Sequence, residues 1–260
     1  MYKTLTRSKI TQFLKVPEAY TVEGVLIMGA YIRDPEIKLF ESTLKKLGVD
    51  LKREEIKDGF FNGIKSVVIG KKRFWFDVVY GGAYLSELLH VACTLGAKKI
   101  IQIGSCGALR ESIKLWDLVL PSKSYGNEST TRAHAPDATD NFHLANKELQ
   151  NDIRLKIPAG KNSHSGEIIS NQAMLAESLE DVEKWRKEGF IGVEMESATT
   201  FAVANHFKVP AASLLFVSDN LVKRELVTDM SSKRDNLNKT ETKEMIYKIG
   251  LNTLTLDKKG

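Results

Sequence analysis

Val25-Leu26-Ile27-Met28 is an unbroken apolar run ending at Gly29, the pattern of a strand buried on both faces. Behind Pro35, an early helical position, Ile37, Leu39, Phe40, Leu44 and Leu47 recur at helical spacing until Gly48 ends the segment. Phe60-Phe61 and residues 67–69 and 74–80 read as strands, the last two joined by a turn at Gly70-Lys71-Lys72. Residues 85–95 predict an amphipathic helix closed by Gly96. Residues 99–103 form a second buried strand that runs into Gly104-Ser105-Cys106-Gly107, and residues 116–121 form a third. The polar stretch 122–140 is too long for a connector and is read as a functional loop. Further strands follow at 166–170, 192–196 and 211–217, with helices at about 179–187, up to His206, and at about 239–254. Strands alternating with helices, without a linker or a repeat, predict one α/β domain over residues 1–260. Its central sheet is mixed, mostly parallel, and flanked by helices.

Composition narrows the function classes. A chain of 260 residues, 42% hydrophobic and 27% charged, fills a substantial core. The 38 Lys+Arg against 33 Asp+Glu leave a net charge of +5, with the lysines scattered, so no nucleic-acid partner is expected. Cys93 and Cys106 are too few for a disulfide framework and fit a reducing cytoplasm. The five histidines form no ligand cluster, so no metal is expected. The polar N-terminus lacks a signal-peptide pattern, and no apolar run approaches about 18 residues, so a cytoplasmic protein without a membrane partner is expected.

Four segments place polar or small residues directly after buried strands: Gly29 to Arg33, Gly81-Gly82, Gly104 to Gly107, and Ser218-Asp219-Asn220. In an open α/β sheet these ends share the edge that binds ligands. Glycine backbone, the Ser105 hydroxyl and the Arg33 guanidinium together suit a tetrahedral anion. Glu194 and Glu196 flank Met195 on one apolar segment. They read either as partners of a polyol or as carboxylates held by a helix N-terminus. Asp219, emerging from Leu214-Leu215-Phe216-Val217, reads as a general acid or as a local turn former.

The segments 104–109, 193–199 and 217–220, in this order and at these separations, resemble the nucleoside phosphorylase family of hexameric purine nucleoside phosphorylases, uridine phosphorylases, methylthioadenosine phosphorylases and related nucleosidases. The resemblance spans about residues 22–255. It implies phosphorolysis of a nucleoside to free base and ribose 1-phosphate, with phosphate as co-substrate, no cofactor, and a homo-oligomer, either dimer or hexamer. It assigns phosphate to Gly29, Arg33, Ser105, Gln102 and Lys57. Ribose goes to Met195, Glu196 and His134, and the base to Cys106, Gly107, Met174, Val193, Glu194 and Asp219, with Asp219 as the acid. The family's Gly-Asp-Pro-x-Arg motif stands here as Gly29-Ala30-Tyr31-Ile32-Arg33, and Gln102 replaces a phosphate-binding Arg.

Ser218-Asp219-Asn220 favours a purine, while the 195–199 segment and the 128–130 loop resemble uridine phosphorylases. A hydrolytic nucleosidase or a uridine phosphorylase of the same fold, and a non-catalytic nucleoside-binding or storage protein, are the competing readings. A dinucleotide-binding dehydrogenase is excluded by the single glycine in Gly29-Ala30-Tyr31, and a serine hydrolase by the absence of G-x-S-x-G around Ser105.

Overall fold

A computed structural model describes residues 4–49, 52–54, 56, 60–61, 63–226 and 233–255. The apolar run becomes β1 (Gly24–Gly29), every residue of which is buried. It pairs in parallel with β4 (Lys72–Val79) on one side and β5 (Ile100–Ala108) on the other. From β4 the sheet continues through antiparallel β3 (Lys65–Ile69) to β2 (Lys52–Glu54). Beyond β5 it curls. β10 (Ala211–Asn220) pairs with both β5 and β6 (Leu118–Tyr125). β6 pairs with β8 (Ser163–Ser170), β8 with β9 (Gly192–Glu194), and β9 returns to β5. Strands β5, β10, β6, β8 and β9 thus close a circuit, and a short β7 (Phe142–Leu144) extends β6. Apolar side chains, among them Cys106, Ala108, Val119, Ile168, Leu215 and Val217, pack together where these strands meet.

Alternation along β1 sorts the helices into two layers. Val25 and Ile27 face a core with α1 (Arg7–Leu14), α3 (Gly82–Thr94) and α7 (Ser197–His206). Leu26 and Met28 face the other core, with α2 (Arg33–Lys46), α5 (Lys147–Arg154) and α8 (Lys233–Thr255). Two further helices, α4 (Ser129–His134) and α6 (Leu179–Glu188), complete the shell.

Four expectations need correction. Phe60 and Phe61 lie in a turn, where they stack edge-on at 4.9 Å and pack against Tyr84. β5 and β10 do not stop at their glycine and polar ends but run on through Gly104 to Ala108 and Ser218 to Asn220, each supplying the other's ladder. The polar stretch 122–140 is not one loop. Lys123, Ser124 and Tyr125 continue β6 because β7 and β8 pair with them on both sides, and residues 129–134 form α4.

The second core rests on aromatic packing. Phe76 stacks on Phe40 at 3.9 Å with 9° between planes and lies 6.0 Å from Tyr247. Phe76→Ala removes the central ring of this stack and is expected to destabilise the fold by about 3–5 kcal/mol, read by urea unfolding. A cost below about 1 kcal/mol would mean the stack is not a structural element.

Candidate active site

β5 has strand partners on both sides except at one place. β1 accompanies it up to Gly104, opposite Gly29, and β9 joins only at Gly107, opposite Val193. Ser105 and Cys106 fall in this gap, and a cavity of about 600 Å³ opens there. Gly29, Ser105, Cys106 and Gly107 form its floor, Val193 to Glu196 one wall, and Ser218 and Asp219 another. Tyr31, Tyr80 and Met174 stand at its lip. The structure therefore brings together most of the predicted set.

Glu194 and Glu196 have different surroundings. Glu194 Oε2 accepts the backbone N–H groups of Glu196 and Ser197, both at 2.8 Å, and the Gln102 side-chain amide at 3.0 Å. Its Oε1 accepts the Ser170 hydroxyl at 2.5 Å. Glu194 is thus the carboxylate at the start of α7, where unpaired N–H groups and the helix dipole favour negative charge. It touches the cavity with little hydrogen-bonding capacity left. Glu196, also buried, accepts the Gly81 N–H at 2.7 Å through Oε1. Burial and the neighbouring Glu194 charge push it from 4.5 up to about 8, against the opposing pull of the Gly81 and Met195 backbone. At neutral pH its carboxyl is protonated and offers both a donor and an acceptor to the cavity. Two glycines admit it. A Cβ on Gly29 would lie 2.6 Å from Glu196 Oε2, and Gly81, at φ +78°, turns its N–H toward Oε1.

A bulge in β10 between Val217 and Asp219 sets Asp219 opposite Gly107 and turns it into the cavity, where the Ser218 hydroxyl donates to its Oδ2 at 2.5 Å. Glu177 stands on the cavity wall with its carboxyl raised by burial, bonded to Asn171 at 3.1 Å and repelled by Asp219. Burial and the charges of Glu194 and Asp219 also push up the Cys106 thiol, so this buried cysteine is a neutral wall rather than a nucleophile.

Three predicted residues are placed elsewhere, and a fourth lies outside the described residues. Gln102 is fully buried below the floor. Its amide donates to Glu194 while its carbonyl accepts the hydroxyls of Ser197 at 2.7 Å and Ser213 at 2.5 Å, so it has no face toward an anion. The Arg33 guanidinium turns away to β4, bonding Asp77 at 2.6 Å, the Gly63 carbonyl at 3.2 Å and the Val78 carbonyl. His134 packs between α3 and α7. Its Nδ1 is 3.0 Å from the Thr130 carbonyl and its Nε2 3.2 Å from His90 Nδ1, with the His206 ring 5.6 Å away. Lys57 is the residue outside the described set.

Sequence reasoning missed Gln172, whose amide accepts the Gly82 N–H and donates to the Met195 carbonyl, both at 2.6 Å, tying the α3 start to the Met195 turn. It also missed Tyr31, Tyr80, Glu177 and Arg224 as cavity residues. The position of Tyr80, directly after a buried strand, was the available signal. Among the described residues no group of His, Cys, Asp and Glu is arranged to hold a metal ion, and no helix is long and apolar enough to cross a membrane.

Residues 82–249 match the family described as the phosphorylase superfamily. A DeoD-type purine nucleoside phosphorylase of Clostridium beijerinckii is 27% identical over 223 residues, covering 77% of this chain and 90% of the relative. Its Yersinia enterocolitica counterpart is 28% identical over 195 residues, covering 70% and 80%. In fold, the chain is similar to a uridine phosphorylase of Vibrio fischeri, with a TM-score of 0.69 at 18% identity over 90% of this chain and 92% of the other. A 5'-methylthioadenosine/S-adenosyl homocysteine nucleosidase of Helicobacter pylori gives 0.63 at 20% identity, covering 90% and 97%.

The raised carboxyl of Glu196 has a consequence for stability. The folded protein keeps this proton up to about pH 8, whereas an unfolded chain loses it near 4.5, so this group's contribution falls as pH rises between those values. Glu196→Gln cannot ionise. Its unfolding temperature relative to wild type is expected to rise steadily from pH 5 to pH 8, as read by thermal scans across that range. A difference independent of pH would mean that Glu196 is ionised in the folded protein.

Proposed function

The chain belongs to the phosphorylase superfamily as an enzyme of the nucleoside phosphorylase kind, a pentosyltransferase, and we propose that it cleaves purine nucleosides with phosphate as the acceptor. The observation that carries this reading is the placement of Glu196 and Asp219 in one cavity, above a floor of Gly29 and Ser105. A protonated Glu196 beside Met195 matches a ribose diol, donating to one hydroxyl and accepting from the other. Asp219, hydrogen-bonded to Ser218, serves the leaving base as acid. A purine departs poorly as an anion, so protonation at N7 lowers the barrier as the glycosidic bond breaks. Phosphate on the Ser105 hydroxyl and the unpaired edge of β5 then takes the anomeric carbon, giving ribose 1-phosphate, and holding both reactants in one cavity supplies much of the remaining rate.

The names of the curated relatives support a purine, and the acid at Asp219 supports it further. A dimer or hexamer belongs to the same reading, since Tyr31 and Leu175 beside the lip are 79% and 94% exposed and offer apolar area to a neighbouring copy. A second reading, hydrolysis, is favoured by one observation: Arg33 and Gln102 are both engaged away from the cavity, which leaves the acceptor site short of positive charge.

Base release from inosine, adenosine, methylthioadenosine and uridine, measured with and without phosphate, separates these. Release from the purine nucleosides that depends on phosphate is expected. Equal release without phosphate would establish hydrolysis, and no release from any of the four would favour a binding protein. Asp219→Asn is expected to lower purine nucleoside turnover by about 10²–10⁴-fold with unfolding unchanged; unaltered turnover would remove Asp219 from the acid role.

A further inference from the structure

The charges around the cavity do not balance. Among its described lining residues Glu177, Glu194, Glu196 and Asp219 are acidic, and Arg224 is the single cation. Arg33 stands four residues beyond Gly29 of the floor, at the start of α2, yet its guanidinium is turned onto β4.

What holds it there is a residue with no local reason to be charged. Asp77 occupies the face of β4 that also carries Trp75 and Val79, both in the apolar core, and it is 1% exposed. A carboxylate at such a position must be fully partnered. Oδ1 accepts Arg33 Nη2 at 2.6 Å and the Val78 N–H at 2.8 Å, and Oδ2 accepts the Tyr84 hydroxyl at 2.9 Å. Burial and the Asp77 charge push the Tyr84 hydroxyl upward, so it remains a donor. Gly63 makes room, because a Cβ there would lie 2.6 Å from Arg33 Nη2. The Arg33 side chain is itself 40% exposed, so it has a solvent-side path between β4 and the end of β1. In the ladder Val78 and Val79 stand beside Met28 and Gly29, so a guanidinium on the β4 backbone lies about one strand spacing, roughly 5 Å, from the β1 end of the floor.

We propose that Asp77 is the specificity-determining residue for the acceptor: by holding Arg33 on β4 it keeps the floor of the cavity short of positive charge and sets a low affinity for phosphate. This rests on the reading that the floor at Gly29 and Ser105 takes the acceptor. A dianion that draws Arg33 across must leave the buried Asp77 carboxylate without its counter-charge, held by the Val78 N–H and the Tyr84 hydroxyl, so the apparent affinity is reduced because few molecules have Arg33 released. Asp77 acts through Arg33 and touches neither substrate, which makes it a positioning residue.

The test is direct binding of inorganic phosphate, by calorimetry without nucleoside, to wild type, Asp77→Asn, Asp77→Asn/Arg33→Gln and Asp77→Asn/Tyr84→Phe. Thermal scans identify the folded variants. Asp77→Asn is expected to bind phosphate about ten-fold more tightly than wild type, and the added Arg33→Gln to return affinity to within about two-fold of wild type. Where Asp77→Asn does not fold, Asp77→Asn/Tyr84→Phe, which also removes the hydroxyl that an amide would face, is read against the same expectation. Phosphate affinity in the folded charge-removed variant equal to or weaker than wild type overturns the proposal, as does a gain that survives Arg33→Gln. Tighter phosphate binding in a protein that releases no base leaves this proposal standing and overturns the proposed reaction instead.

Discussion

The Glu194 carboxylate at the start of α7 is the interaction on which the site depends. It draws donors from three separate elements: the first turn of α7, Ser170 at the end of β8, and Gln102 in the middle of β5. Through Gln102 it also reaches Ser213 of β10. Ser170 in turn accepts the Ala198 N–H at 2.9 Å, so a second helix donor is satisfied by the same network. A buried network of this kind is rigid when every member is partnered, and loss of one member leaves a charge or an amide stranded. Its effect is geometric. It fixes the turn at Met195 and thereby sets where Glu196 enters the cavity.

Glu196 is the converse. It is as buried as Glu194, each 5% exposed, but against the pull of the Gly81 and Met195 backbone it has a like charge nearby, and burial with that charge pushes its carboxyl up to about 8. Two carboxylates two residues apart thus divide through environment alone into one tied into the fold by four donors and one whose proton is held by burial. Glycine at positions 29 and 81 is what permits the close approach, and Gln172 locks the Met195 carbonyl and the Gly82 N–H on the other side of the same turn.

Much of this was legible in the sequence. β1, β5 and β10 announce themselves as apolar runs, and the small or polar residues at their ends converge on one cavity as the rule for open α/β sheets predicts. Of the alternatives read for Glu194 and Glu196, the helix-terminal carboxylate is seen at Glu194, while Glu196 lines the cavity. What the pattern of residues did not disclose was pairing across distance. Arg33 looks available beside Gly29, and only the fold reveals Asp77 on β4, 44 residues away, as its partner. Gln102 reads as a substitute for a cation until Glu194, 92 residues on, is seen to take its amide. His134 lies in a polar stretch that reads as loop because the pairings of β6 with β7 and β8 are long-range and leave no local signal. Short helices such as α1 and α5, eight residues each, were missed because few apolar positions fall within two turns.

Glu194 builds the site, and under the proposed function Glu196 and Asp219 serve the ligand. The most direct measurement is a crystal structure with phosphate and an unreactive purine nucleoside analogue bound. Expected are ribose hydroxyls on the Glu196 carboxyl, the base edge at Asp219, and Glu194 still bonded to Gln102, Ser170 and the α7 N–H groups. A sugar bound by Glu194 with the Gln102 contact broken, or a nucleoside seated outside this cavity, would contradict it.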